Sequence, residues 1–95
     1  MWNPISSVNT MPLPSYRSLA WYADRRRRLK HAAGLRSMTL AQCAAHFGVT
    51  HTHLNFVLRG HRQSARLDDA IAALLAWAYG PAIGRHYGST PPEDQ

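Results

Sequence analysis

The sequence predicts an all-α fold, a compact domain of four or five helices. Apolar residues recur at steps of three and four along several stretches, which is the spacing that lines one face of a helix. Residues that cap helix N-termini precede these stretches, and glycines follow them. No stretch alternates polar and apolar residues convincingly, as a half-buried strand would. These three observations indicate helices joined by short turns.

The most informative stretch runs from Thr39 to Leu58 and predicts two short helices. Thr39 and Gln42 form a capping box, in which each side chain accepts a hydrogen bond from the other residue's backbone N–H. Gly48 ends the first helix with a left-handed backbone, and Thr50 caps the second. The residues expected on the inner faces of the two helices are Leu40, Cys43, Ala44, Phe47, Leu54, Val57 and Leu58.

A longer helix is predicted on each side of this pair. The first begins at Ser15 or Ser18 and runs to about Ala33, where Gly34 ends it. Its expected inner residues are Leu19, Tyr22, Leu29 and Ala33, and Leu35 and Met38 are expected to close over the core. The second runs from about Ala65 to Tyr79, between a Ser64 cap and Gly80-Pro81. Its expected inner residues are Leu67, Ile71, Leu74, Leu75 and Ala78.

A small residue in the first short helix, a glycine four residues later and two aliphatics beyond it form a helix-turn-helix pattern. Here they are Ala44, Gly48, Leu54 and Val57. The further positions that match are Val49-Thr50, Asn55, Leu58, Gly60 and Arg62. Together they resemble the lambda-repressor and Cro superfamily of DNA-binding domains over about residues 17–79. Leu40 departs from the family, in which a glutamine is frequent at this place, and so does Phe56, where a basic or polar residue is usual.

The resemblance implies that the second short helix lies in the major groove of DNA with its N-terminal residues toward the bases. The base-reading candidates are His51, Thr52, His53 and Asn55. Asparagine can pair bidentately with adenine, and threonine can meet a thymine methyl group. The candidates for contact with the DNA backbone are Thr39, Leu40, Thr50, Arg59, His61, Arg62, Arg25, Arg28 and Arg36. The alternative for each of them is an ordinary solvent-facing position.

Charge supports a polyanionic partner. The net charge is +6, and ten of the eleven Lys and Arg residues lie between Arg17 and Arg66, where Asp24 is the only acid. The run Arg25–Arg28 with Lys30 wraps around a helix, so only two or three of these cations are expected to meet phosphates. The alternative is a solvated cationic face.

Three segments are predicted. Residues 1–15 form a partly ordered arm, residues 16–80 the helix-turn-helix domain, and residues 81–95 a tail. The tail is expected to form a turn or short helix near 82–87, to contribute to a dimer contact and then to be disordered. The arm lacks the basic start and apolar run of a secretory signal.

Other functional classes find little support in the sequence. A single cysteine, Cys43, forms no intramolecular disulfide, and Cys43, His46, His51 and His53 do not make a tetrahedral metal set. The acids form no catalytic pair, and no phosphate loop or nucleophile motif is present. No stretch approaches the roughly 20 apolar residues of a membrane span. We therefore expect no catalytic residue, metal, cofactor, small-molecule ligand or membrane contact.

The expected function is that of a sequence-specific double-stranded DNA-binding transcriptional regulator, a repressor that binds an inverted-repeat operator as a homodimer. Autoregulatory repressors of phages and mobile elements, including anti-CRISPR-associated ones, are of this type, so a cytoplasmic, nucleoid-associated protein is expected. The alternatives are an antitoxin-like or adaptor module that binds protein, and a non-specific nucleic-acid binder.

Overall fold

Residues 13–91 are described by the structure, a computed structural model, and they form five helices and no strand. The helices are α1 (Leu19–Leu35), α2 (Leu40–His46), α3 (His51–Leu58), α4 (Ala65–Tyr79) and α5 (Pro81–His86). The predicted all-helical fold is confirmed. Most of the predicted N-terminal arm and the last four residues of the tail lie outside the described residues.

Each of the first four helices begins directly after a residue that the sequence predicts as its N-terminal cap. The Thr39 hydroxyl accepts a hydrogen bond from the Gln42 N–H (3.1 Å), and the Gln42 side chain accepts one from the Thr39 N–H (2.8 Å). Ser18, Thr50 and Ser64 cap α1, α3 and α4 through their hydroxyl groups. Each cap satisfies a backbone N–H that has no partner within its helix.

The C-termini of α1, α2 and α3 share one backbone motif. Just beyond each helix lies a left-handed residue, namely Ser37 (φ 57°), Gly48 (φ 76°) or Gly60 (φ 79°). The N–H of the next residue then donates to a carbonyl five residues back, as in the Schellman motif. The predicted left-handed turn at Gly48 is confirmed. The prediction that Gly34 ends the first helix is wrong, because α1 continues to Leu35 and Ser37 takes the left-handed position.

The core is formed by helices α1 to α4 and by Tyr87, the residue after α5. Its fully buried apolar residues are Trp21, Leu29, Ala32, Ala33, Cys43, Ala44, Leu54, Val57, Leu58, Leu67, Ile71, Leu75 and Tyr87. The predicted inner faces of α2, α3 and α4 are largely confirmed. For α1 the prediction is confirmed at Leu29 and Ala33 but wrong at Leu19, which is 89% exposed. Trp21 and Arg25, which were not predicted, are buried instead. Leu35 is also exposed, whereas Met38 packs against the core as expected.

Arg25 is fully buried and joins three helices. Its guanidinium donates to Asp68 Oδ1 of α4 (2.7 Å) and to the Val57 carbonyl near the end of α3 (2.8 Å). It also lies 4.5 Å from the centre of the Trp21 ring. Burial lowers the pKa of Arg25, and the ion pair with Asp68 opposes that effect. An arginine keeps its charge under such conditions, so the core contains a permanent ion pair.

Arg17 completes this cluster from the segment before α1. It donates to Asp68 Oδ2 (2.7 Å) and to the Tyr22 hydroxyl (3.2 Å). Burial lowers the pKa of Arg17, but the hydrogen bonds to Asp68 and Tyr22 outweigh it and the net shift is upward. Asp68 therefore holds one arginine on each carboxylate oxygen, and it anchors both α1 and the chain that leads into it.

The tail is part of the packed unit as far as Tyr87. The Tyr87 side chain is fully buried beside Trp21, and Trp21 Nε1 donates to the His86 carbonyl (2.9 Å). The Tyr16 hydroxyl donates to the Gly88 carbonyl (2.9 Å), which joins the start of the described chain to its end. The predicted boundary at residue 80 is therefore too early, although the expected short helix near 82–87 is confirmed as α5.

Removing one partner of the central ion pair should be far more harmful than replacing both. Asp68→Ala leaves Arg25 buried without a carboxylate, which we expect to lower the free energy of unfolding by about 3–5 kcal/mol. Arg25→Met combined with Asp68→Leu should cost less than Asp68→Ala, because it leaves no fully buried charge unpaired. Both variants remove the carboxylate partner of Arg17, whose side chain is 22% exposed, so that loss is common to the two. Urea unfolding of the variants measures this. Additive losses in the double variant would mean that the two side chains do not act as a pair.

Two glycines with the same backbone requirement should differ in their tolerance of alanine. Alanine at Gly48 or Gly60 must adopt a positive φ, at a cost of about 1–2 kcal/mol. A Cβ at Gly60 would also lie 2.9 Å from Cζ of Tyr22, whereas one at Gly48 meets nothing within 4 Å. Gly60→Ala should therefore lower the melting temperature more than Gly48→Ala. Equal losses would show that the Tyr22 ring moves aside freely.

Candidate nucleic-acid interface

The N-terminal half of α3 presents polar side chains at the surface. His51 and Thr52 are exposed, and His53 and Asn55 are half-buried. His51 and Asn55 are four residues apart and so share one helix face, whereas His53 points elsewhere. The buried residues Leu54, Val57 and Leu58 fix the opposite face of α3 to the core. The helix can therefore present these side chains in a fixed orientation.

A groove of about 410 Å³ runs beside this surface and joins three helices. Arg26 and Lys30 line it from α1, Thr39 and Leu40 line it from the start of α2, and His51 lines it from the start of α3. Within the described part of the chain, no acid lines the groove. Its two cations belong to α1 and lie four residues apart, one turn of helix. An anion in this groove would meet cations on one side and the first turn of α2 on the other.

Arg25 and Arg28 do not belong to this surface, contrary to expectation. Arg25 is a core residue paired with Asp68. The side chain of Arg28 is only 20% exposed and donates to Asp24 (2.7 Å) while it lies over the Tyr79 ring. Both guanidinium groups are therefore held by carboxylates, and neither is free for a phosphate.

Asp24 organises a second polar cluster on the α5 side of α1. Its carboxylate accepts hydrogen bonds from the Tyr87 hydroxyl, from Arg28 and from Arg27. Burial raises the pKa of Asp24, but these hydrogen bonds outweigh it and hold that pKa below its ordinary value. Burial, followed by the hydrogen bond to Asp24, raises the pKa of Tyr87. This cluster fixes the tail to α1 and is unconnected with the groove beside α3.

The DNA-backbone candidates that follow α3 are exposed, whereas the candidate Arg36 lies away from the groove beside α3. Arg59, His61 and Arg62 lie in the segment between α3 and α4, and within residues 13–91 their side chains make no hydrogen bond or ion pair. Phe56 is 42% exposed, with the His61 ring 6.3 Å away. Arg36 instead stacks over the Trp77 ring in a separate groove, at 4.4 Å.

Arg26 and Lys30 belong to the cationic run of α1 but were not among the named backbone candidates, because Trp21 and Arg25 were not expected on the inner face of this helix. Trp21, Arg25 and Leu29 lie on the buried face of α1. Arg26 and Lys30, which follow Arg25 and Leu29 in sequence, therefore point away from the core and toward α2 and α3. The sequence contains a signal for this orientation, because Trp21, Leu29 and Ala33 fall on a spacing of four residues. A search for apolar periodicity misses it, since the remaining position in that series, residue 25, is an arginine.

The described residues offer neither a metal site nor a membrane span. Within residues 13–91, no group of three or more His, Cys, Asp or Glu side chains could hold a metal ion. Cys43 is buried, and burial raises the pKa of its thiol. None of the helices in the described part of the chain is long and apolar enough to cross a membrane.

Comparison with known proteins adds no relative. No protein-family model matches the chain, and no curated protein or solved structure matches it either.

Proposed function

We propose that this chain is a sequence-specific double-stranded DNA-binding regulator of transcription, a repressor that acts as a homodimer. In this proposal α2, the turn at Gly48 and α3 form a helix-turn-helix, and α3 enters the major groove. The observation that carries the proposal is the groove in which Arg26 and Lys30 lie beside the first residues of α2 and α3. It combines phosphate-binding charge with an adjacent row of exposed polar side chains.

The bases are read by the first turns of α3. His51 and Thr52 are exposed at its N-terminus, the end that approaches base edges in this mode of binding. Asn55 lies one turn further along the face of His51, where its amide can pair bidentately with adenine. Thr52 can contact a thymine methyl group. Thr50 and Thr39 cap their helices and so hold the two N-termini in place.

The DNA backbone is held on both sides of α3. Arg26 and Lys30 lie beside its start, together with Thr39 and Leu40, and Arg59, His61 and Arg62 follow its end. Phosphate contacts of this kind fix the position of the helix on the duplex without reading sequence. Arg26 and Lys30 therefore replace the internally paired Arg25 and Arg28 in the proposed interface.

A homodimer follows from the size of the contact surface. One short helix reads only a few base pairs, and two copies related by a two-fold axis double the site. The two recognition helices would then be about 34 Å apart, on an inverted repeat with half-site centres about 10 base pairs apart or a multiple of that. Repression occurs by occlusion of a promoter in the cytoplasm or nucleoid, as in small phage or mobile-element repressors.

Selection from a random pool of DNA duplexes at physiological salt tests the proposal. The purified full chain should enrich an inverted repeat and retain it in excess random DNA. Enrichment of a single unrepeated site would contradict the homodimer but not DNA reading. Recovery of no motif from folded protein would overturn the proposed function. In that case, steep salt dependence without sequence preference would identify a non-specific binder.

Asn55→Ala should selectively weaken binding to the selected operator. The loss of one bidentate base contact is expected to cost about 1–3 kcal/mol on the operator and little on random DNA. Fluorescence anisotropy with both duplexes measures the difference. Gln63→Ala, an exposed polar residue beyond α3, is the matched control. An equal loss on both duplexes would assign Asn55 to backbone contact instead of base reading.

Arg26→Ala and Lys30→Ala should weaken binding to all duplexes alike. Each lost phosphate contact is expected to reduce the slope of log affinity against log salt by about one unit. Arg59→Ala and Arg62→Ala should behave in the same way. Arg85→Ala removes an exposed cation on α5 and should leave the slope unchanged. If Arg26→Ala and Arg85→Ala had the same effect, the groove beside α3 would not bind phosphate.

A further inference from the structure

A second groove, here called the Trp77 groove, lies between the ends of α1 and α2 and the outer face of α4. It measures about 180 Å³, and its lining residues are Arg36, Met38, His46, Phe47, Ala70, Ala73, Leu74 and Trp77. The Trp77 side chain is 53% exposed, although a tryptophan gains more from burial than any other residue. The groove is apolar in its walls, and Arg36 and His46 are at its edge.

Arg36 is held in place in this groove but its donors are unused. Its guanidinium lies 4.4 Å from the centre of the Trp77 ring, a cation–π contact that restricts a flexible side chain. Within residues 13–91 the Arg36 side chain makes no hydrogen bond or ion pair. Arg28, which also lies over an aromatic ring, is by contrast paired with Asp24. A stacked guanidinium with open N–H groups is suited to bidentate pairing with a carboxylate.

The charge around the Trp77 groove has one sign. Within residues 13–91 no acid lines it, and Arg66 donates to the carbonyl of the lining residue Phe47 (3.2 Å). The three acids of the described residues are engaged elsewhere. Asp24 and Asp68 pair with arginines, and Asp69 accepts hydrogen bonds from Ser89. Within residues 13–91 no carboxylate is therefore left to pair with Arg36.

We propose that the Trp77 groove docks an acidic segment of another protein, which places a carboxylate on Arg36 and an apolar side chain against Trp77. Charge complementarity carries the choice of partner, because the groove combines apolar side chains with Arg36, which has no carboxylate partner within residues 13–91. This proposal does not depend on DNA binding by α3. It adds a protein-binding site to the proposed regulator.

Two other occupants fit less well. A second copy placed on this groove by a two-fold axis would bring Arg36 and Arg66 of both copies together, with no described acid free to neutralise them. A single-stranded nucleic acid would need to stack a base on Trp77, and Arg36 already covers one face of that ring. A carboxylate on the guanidinium and an aliphatic side chain beside the indole use the groove as it is.

Selection from a displayed library of random peptides tests the proposal. The probe is the immobilised full chain, with prior depletion of the library on the Trp77→Ala variant. We expect enrichment of peptides in which Asp or Glu lies beside Leu, Phe or Trp. An enriched peptide, made synthetically, should bind the native chain, and Arg36→Ala and Trp77→Ala should each weaken it about tenfold. Arg36→Lys should recover only part of the loss, because lysine keeps the charge but not the planar fork.

Controls separate this site from the DNA-binding surface. Asn55→Ala and Arg85→Ala should leave peptide affinity unchanged, and Arg36→Ala should leave operator binding unchanged. Absence of acidic enrichment, or an acidic peptide that binds equally to Arg36→Ala, would overturn the proposal. So would self-association of the native chain that Trp77→Ala abolishes, or binding of single-stranded DNA that the same change abolishes.

Discussion

The buried guanidinium of Arg25 is the constraint on which the rest of this structure depends. It donates one hydrogen bond to the carboxylate of Asp68 and one to the Val57 carbonyl. These bonds connect the middle of α1 to the start of α4 and to the end of α3. A charged group in a small core is costly unless it is fully paired, and Arg25 Nε has no partner. This cost is what makes the arrangement specific, because other packings of the helices would leave the charges unpaired in the core.

The position of Arg25 also determines where its neighbours point. With Arg25 turned inward, Arg26 and Lys30 face the start of α2 and α3, and Arg28 faces Asp24 and the tail. A run of four arginines is thereby divided among the core, the groove beside α3 and the cluster around Tyr87. The net positive charge of the chain is thus a poor guide to its binding surface, since several of these cations already have internal partners.

Local features of the fold were predictable from sequence, and distant pairings were not. Thr39, Thr50 and Ser64 cap helices by bonding to backbone three residues away, so the information lies within one turn. Arg25 is buried because of Asp68, 43 residues later, and Tyr87 bonds to Asp24 across 63 residues. An analysis of hydrophobic periodicity counts Arg25 as a surface residue. It also assigns Tyr87 to a tail, because Gly80-Pro81 marks the end of the preceding helix.

The same division applies to the candidate site. The exposure of His51 and Thr52 follows from the apolar spacing of α3, which the sequence displays directly. The position of Arg26 and Lys30 depends on the rotation of α1, which the buried pair of Arg25 and Asp68 helps to fix. The stacking of Arg36 on Trp77 joins the end of α1 to the end of α4 and has no local signature. The sequence therefore predicted the exposed polar face of α3, but not the cations around it.

The two grooves lie on the two sides of Met38, which lines both of them. Thr39 and Leu40 at the start of α2 belong to the groove beside α3, and His46 at its end belongs to the Trp77 groove. Seven helical residues span about 10 Å, less than the width of the major groove of DNA. A protein segment docked at Trp77 would therefore lie within reach of a duplex bound at α3. The short connection through α2 sets the distance between the two grooves, and the core around Arg25 fixes the helices that line them.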